Sequence, residues 1–253
     1  MFLAIDCGNT TVEFAFFIEN DLCCTHRVKL DATKSSDEYQ VALTLFLQSR
    51  SIKPQEVDGA LASSVVPSFN STLKAIVSNV FGLDLPFVGP GFPSGIRINT
   101  DNPKEVGADL ICDCAGAKHC FGYPCIIVDL GTASKVILLG KDGSFEGCVI
   151  APGVGISLKA LVGNAAMIGE VDIKIPAKHL GKNTADCISS ALTYGNAYAL
   201  TALADQIEKE AGYSCKRILT GGFGQLIQPL MPDFIYSKHL ALRGIKAIFD
   251  RKK

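Results

Sequence analysis

The sequence predicts an α/β protein made by duplication: two domains, each a mixed sheet flanked by helices, with a central cleft. Three observations carry this. Two short stretches repeat, since Ile5-Asp6-Cys7-Gly8-Asn9-Thr10 and Val128-Asp129-Leu130-Gly131-Thr132 both set Asp-x-Gly and a hydroxyl residue directly after an apolar run. Their surroundings also match. Phe2 to Ile5 and Cys125 to Val128 lead in, while Thr11 to Phe17 and Ala133 to Leu139 lead out, so each copy predicts a β-hairpin with its tip at Asp-x-Gly. Finally, the order of strands and helices after the first copy returns after the second.

In the first half, Leu22 to Leu30 predicts a third strand, and Ser35-Ser36-Asp37-Glu38 has the form of a capping box opening a helix that ends near Arg50. Val41, Leu45 and Phe46 mark its apolar spacing. Val57 to Val66 is a strand-like run ending in Ser63-Ser64-Val65-Val66-Pro67, followed by a helix over 68–81 and a short strand over 85–88. Residues 89–103, rich in Gly, Pro and Asn, predict an irregular connection with a short strand at 96–98, and long connections of this kind often border sites. Helical spacing returns over 104–121, with Val106, Leu110, Ala117 and Phe121 on one face. Tyr123-Pro124 ends that helix, which places the domain boundary between 1–122 and 123–253.

The second half repeats the order. Strands over 125–130, 134–140 and 144–151 surround the second tip and an ordinary turn at Lys141-Asp142-Gly143. Pro152-Gly153-Val154-Gly155 opens a helix to about Val162, and a looser region runs to Asn183. Thr184, as N-cap, begins a long helix to about Ala211. A strand over 217–220 meets a tight Gly221-Gly222 turn into another helix. A last short strand at 233–236 and a closing helix over 240–249 complete the chain.

Composition excludes several classes. With 253 residues, 48% hydrophobic and 19% charged, the chain buries a sizeable core, and a formal net charge of −1 offers no basic excess for nucleic acid. No run approaches the roughly 18 apolar residues of a spanning helix, and no basic amphipathic stretch asks for a membrane surface. The N-terminus reads as a first strand and not as a signal peptide, so a cytoplasmic protein with a small-molecule partner is expected. The ten cysteines are scattered without Cys-x-x-Cys, as expected of buried, reduced thiols. His26, His119, His179 and His239 show no ligand spacing.

The chemistry that suits the two tips is phosphate and cation binding. Glycine lets backbone amides approach an oxyanion, Thr adds a hydroxyl donor, and Asp accepts a hydrated Mg²⁺ or another hard cation. One Asp-x-Gly alone is more often just a turn. Two matching copies point to a clamped polyphosphate. Asp109 lies within a predicted helix, where Asp is a poor former. It is either part of a solvated face with Asp113 or a carboxylate that takes the proton of an attacking hydroxyl. Thr184 either caps its helix or contacts a substrate, and Gly221-Gly222 either makes the turn or admits a nucleotide.

Taken together, Asp6 to Thr10, Ser64-Val65-Val66-Pro67, Asn102 to Asp109, Asp129 to Ala133, Ile150 to Gly153, Asn183-Thr184, Leu219 to Gly222 and Leu240 to Gly244 resemble the type III pantothenate kinases. These are a branch of the acetate and sugar kinase, Hsp70 and actin superfamily. The resemblance implies two ribonuclease H-like, actin-like ATPase domains and ATP-dependent phosphorylation of pantothenate to 4′-phosphopantothenate, the first step towards coenzyme A. It further implies an ATP loop at Asp6, Cys7, Gly8, Asn9, Thr10, Thr11, Val12 and Glu13, with Thr132 as a second ATP contact. Gly107, Ala108, Asp109, Leu110 and Thr184 would bind the substrate, and Asp109 would be the catalytic proton acceptor. Asp129 would hold a monovalent cation, K⁺ or NH₄⁺, beside Mg-ATP, in a homodimer. The chain departs from the family where Leu110 replaces an Arg, Thr100 an aromatic residue, and Ser134-Lys135-Val136-Ile137 a Thr-Thr-x-Asp pattern. The alternatives left open are a catalytically weak, nucleotide-binding regulatory protein and a kinase for another small hydroxylated substrate.

Overall fold

The computed structural model describes residues 1–163 and 171–251, so part of the looser region expected between Val162 and Asn183 lies outside the described residues. Two compact units result, one of Met1–Ile96, Asp101–His119 and Ala241–Lys253, the other of Arg97–Thr100 and Cys120–Leu240. A single cut between residues 122 and 123 differs from this division at 97–100, 120–122 and 241–253.

The first unit is a four-stranded sheet of order β3-β2-β1-β4, formed by β1 (Phe2–Cys7), β2 (Thr11–Ile18), β3 (Asp21–Lys29) and β4 (Gly59–Ser64). β1 pairs antiparallel with β2 and parallel with β4. Helices α1 (Ser36–Ser49), α2 (Asn70–Phe81) and α3 (Ala108–Phe121) follow. The capping box at Ser35 forms as its sequence predicts: the Ser35 hydroxyl accepts from the Glu38 amide and the Glu38 carboxylate accepts from the Ser35 amide. The buried face of α1 is not the expected one. Tyr39, Leu43 and Leu47, spaced by four, enter the core, while Val41 and Leu45 are each 60% exposed. The Tyr39 hydroxyl decides the rotation, because it accepts from the Asp31 amide at 2.8 Å and so pins the first turn against the end of β3.

Helix α3 is shorter than its spacing predicts. Pro103–Glu105 forms a separate turn, and the helix proper begins at Ala108. It is buried almost all round from Leu110 to Ala117, including Asp113, so the expected solvated face at Asp113 is absent. A closing helix, called α8 below (Leu240–Asp250), crosses it at Gly244, where a Cβ would stand 1.8 Å from the Cys112 carbonyl oxygen. Only glycine permits that crossing. Phe249 then stacks on Phe2 with ring centroids 4.3 Å apart, which is why the C-terminal segment belongs to the first unit. The strands expected at 85–88 and 96–98 reduce to single bridges, Ala62 to Phe87 and Ile98 to Phe145.

The second unit is a five-stranded sheet of order β7-β6-β5-β8-β9, from β5 (Cys125–Leu130), β6 (Ala133–Leu139), β7 (Phe145–Pro152), β8 (Lys216–Thr220) and β9 (Ile235–Tyr236). β5 is buried along its whole length and pairs antiparallel with β6 and parallel with β8, as a central strand covered on both faces should. Helices α4 (Val154–Gly163), α5 (Thr184–Ser190), α6 (Asn196–Ala211) and α7 (Gly224–Ile227) cover it. The single long helix expected from Thr184 to Ala211 contains a π-helical turn at Ala191–Gly195, within which the Thr193 hydroxyl donates to the Ser189 carbonyl at 2.7 Å. The N-cap is Asn183, not Thr184: Asn183 is extended and its Oδ1 accepts from the Asp186 amide at 2.8 Å. All ten cysteines are free thiols, and Cys23, Cys120, Cys148 and Cys187 are exposed, contrary to the expectation of burial.

Candidate functional site

Both Asp-x-Gly tips form hairpin turns. In the first unit the Gly8 amide donates to the Thr11 carbonyl at 3.0 Å, and in the second the Gly131 amide donates to the Ala133 carbonyl at 3.1 Å. Each Asp is the penultimate residue of a strand whose other neighbour runs parallel, and each stands opposite a hydroxyl residue there, Ser63 for Asp6 and Thr220 for Asp129.

In the first turn, Asp6 and Gly8 are half-buried and Asn9 and Thr10 exposed, whereas Cys7 and Val12 point into the core. Burial pushes the Cys7 thiol up to about 11, against a hydrogen bond with Ser64, and the Asp6 charge adds to the rise. Cys7 is therefore a small core residue, not a reactive thiolate. Glu13, 7% exposed, accepts from the Arg27 Nε at 3.1 Å, so its carboxylate is neutralised from the adjacent strand.

Asp109 lies in the first turn of α3. Its Oδ1 accepts from the Leu110 amide at 2.9 Å, at the helix end where backbone N–H groups favour an anion. Gly107 makes room: a Cβ there would lie 2.5 Å from Asp109 Oδ1. Ala108 and Leu110 are buried, while Gly107 and Asp109 reach the surface. The Cys112 thiol, wholly buried and raised well above its usual range by desolvation, also feels the charges of Asp6, Asp113 and Asp109.

The second turn is built differently. Asp129 stands directly opposite Lys135 in the β5–β6 register, and Lys135 Nζ donates to its Oδ2 at 2.6 Å. Gly221, at φ +90°, packs against it, since a Cβ there would lie 2.4 Å from the Leu130 carbonyl carbon and 2.5 Å from Asp129 Oδ1. Gly153 lets the start of α4 touch Thr132, whose carbonyl oxygen would be 2.2 Å from a Cβ. Thr132 itself is exposed, as is Thr184, the first residue of α5. Gly221 is thus required by the chain itself, while Gly222 faces open space. Sequence reasoning treated Lys135 only as a departure; the signal that identifies its partner is the short turn, which fixes residue 135 opposite residue 129.

Comparison with known proteins adds to this geometry. The family profile described as type III pantothenate kinase matches residues 2–206. A type III pantothenate kinase of Acholeplasma laidlawii is 37% identical over 252 residues, which is 99% of each chain. Among solved structures, a Campylobacter jejuni protein described as a Baf family transcriptional activator aligns with a TM-score of 0.59 at 21% identity, over 99% of this chain and 98% of its own. A Sinorhizobium meliloti protein described as a 2-dehydro-3-deoxygalactonokinase aligns with a TM-score of 0.56 at 14% identity, over 99% and 96%. These two likenesses are of fold, and they agree with the duplicated sugar-kinase and actin-like ATPase architecture.

Proposed function

The chain belongs to the type III pantothenate kinase family, and we propose that its own residues carry ATP-dependent transfer of the γ-phosphoryl group to the primary alcohol of pantothenate. The first unit would hold both halves of that chemistry. Asp109 would accept the alcohol's proton as the oxygen attacks in line, and Asp6, Gly8, Asn9 and Thr10 would meet the phosphates. The observation that carries this reading is the placement of Asp109 Oδ1 on the Leu110 amide, over Gly107. It fixes the carboxylate at the start of α3, where it would accept the proton of the attacking alcohol.

A half-buried Asp6 opposite Ser63 suits Mg²⁺, which is commonly held by one or two carboxylates, water and substrate phosphates. Bound there with ATP, the ion supplies positive charge to the phosphate oxygens. Thr132 would be a second ATP contact, and Thr184 a further substrate contact. A monovalent ion at Asp129 does not fit this chain, because that carboxylate is already matched by the Lys135 ammonium. Among the described residues no helix is long and apolar enough to cross a membrane. A cytoplasmic homodimer completes the reading, and sedimentation equilibrium of the purified chain would read the dimer.

The deciding experiment is ADP release with Mg-ATP and pantothenate, compared with Asp109→Asn. Turnover should require pantothenate and fall by roughly 10²- to 10⁴-fold in the variant while ATP affinity is kept. A variant that turns over like the parent would remove Asp109 from the chemistry.

A further inference from the structure

We propose that Lys135 is a built-in cation: its ammonium group takes the place of a monovalent metal ion at Asp129, so this chain works without potassium or ammonium. The inference rests on the kinase reading above and assigns the source of positive charge at the second phosphate turn.

The register comes first. Asp129 and Lys135 are directly opposed on β5 and β6, so their side chains leave the same face of the sheet, and the ion pair is fixed by the hairpin. Burial comes second. Both side chains are 12% exposed, and Nζ lies 2.6 Å from Oδ2, a charge-assisted hydrogen bond with little competition from water. The walls come third. Gly221 and Gly131 pack against Asp129 Oδ1, which lies 2.5 Å and 3.4 Å from where their Cβ atoms would stand.

A potassium ion needs several oxygen ligands. An ammonium is a donor only, and it already occupies the carboxylate that would be the charged ligand. A second cation beside it would be repelled at close range in a site largely shielded from solvent. Lysine therefore brings the charge covalently attached and already in place.

The test uses the whole purified chain, exchanged into choline chloride with Tris buffer and magnesium, free of potassium and ammonium. ADP release with pantothenate is read in choline, then with added KCl or NaCl at constant ionic strength, and the melting temperature is read in the same three salts. The wild-type rates should agree within about twofold, with no potassium-specific rise in melting temperature. Lys135→Thr should lose roughly tenfold or more in choline, regain rate with potassium, and acquire a potassium-specific melting shift. Potassium stimulation or a potassium-specific melting shift in the wild type overturns the inference, while the kinase reading survives. Absence of turnover in every salt removes the kinase reading instead. The wild-type melting comparison then still decides the cation question, including where Lys135→Thr fails to fold.

Discussion

The two Asp-x-Gly turns share a plan and differ in the residue that stands opposite the Asp. Both join an antiparallel hairpin whose first strand also has a parallel neighbour, and both place Asp one residue before the end of that strand. Opposite Asp6 stands Glu13, an acid; opposite Asp129 stands Lys135, a base. Like charges directly opposed across a sheet repel. In the first turn Arg27, on the adjacent strand, relieves this by pairing with Glu13. In the second the repulsion is absent because the counter-charge is part of the chain. The duplication therefore yields one turn whose counter-charge goes to the residue opposite the Asp and one whose counter-charge goes to the Asp itself.

The largest effect that would break this contrast is on the first turn. Asp6→Asn keeps size and hydrogen bonding but removes the charge, and should lower kcat by roughly 10²- to 10³-fold, since charge neutralisation dominates phosphoryl transfer. Steady-state ADP release across a magnesium titration checks it. A variant that needs no more magnesium than the parent and keeps its rate would mean that Asp6 serves only the turn.

A smaller effect should come from the second turn, and it should appear in stability. Gly221→Ala would place a methyl 2.4 Å from the Leu130 carbonyl carbon and 2.5 Å from Asp129 Oδ1, at a φ of +90° that side chains rarely adopt. Backbone strain and displacement together should cost about 3 kcal/mol, read as a lower urea midpoint at unchanged slope. A loss below about 1 kcal/mol would show that β8 can move away from the turn, so that the Asp129 box is not rigid.

The sequence made the hairpins legible because both signals are local: an apolar run, a turn residue, and a return with the same period. Ser35 to Glu38 was legible for the same reason, a capping pattern complete within four positions. What escaped depends on tertiary partners. Val41 and Leu45 have helical spacing, yet Tyr39 sets the rotation through a bond to Asp31, which spacing does not encode. Asp113 reads as a surface acid but is buried, on a helix whose other neighbours, α8 at Gly244 among them, come from distant sequence. Asn183 and Thr184 are both capping types, and only the extended backbone at Asn183 separates them. For the site, Asp6, Asp109 and Asp129 were readable as residue types in a pattern. The pairing of Asp129 with Lys135 needed the register.

The smallest expected effect is the most specific for ligand. At Gly8 an added Cβ would meet only the Thr11 carbonyl oxygen, at 3.7 Å, an ordinary contact. Packing alone thus gives no reason for glycine there, in contrast to Gly221 and Gly153. Gly8→Ala should change stability by less than about 1 kcal/mol, with the loss of unfolded-state freedom offsetting any small strain. If the turn holds phosphate through close backbone approach, the same methyl stands in the way of an oxyanion, and KM for ATP should rise roughly tenfold while the melting curve hardly moves. The split between the two readouts carries the argument. A stable variant with unchanged KM would place the phosphates elsewhere than over Gly8, and an unstable one would mean that the first turn, like the second, keeps its glycine for the chain.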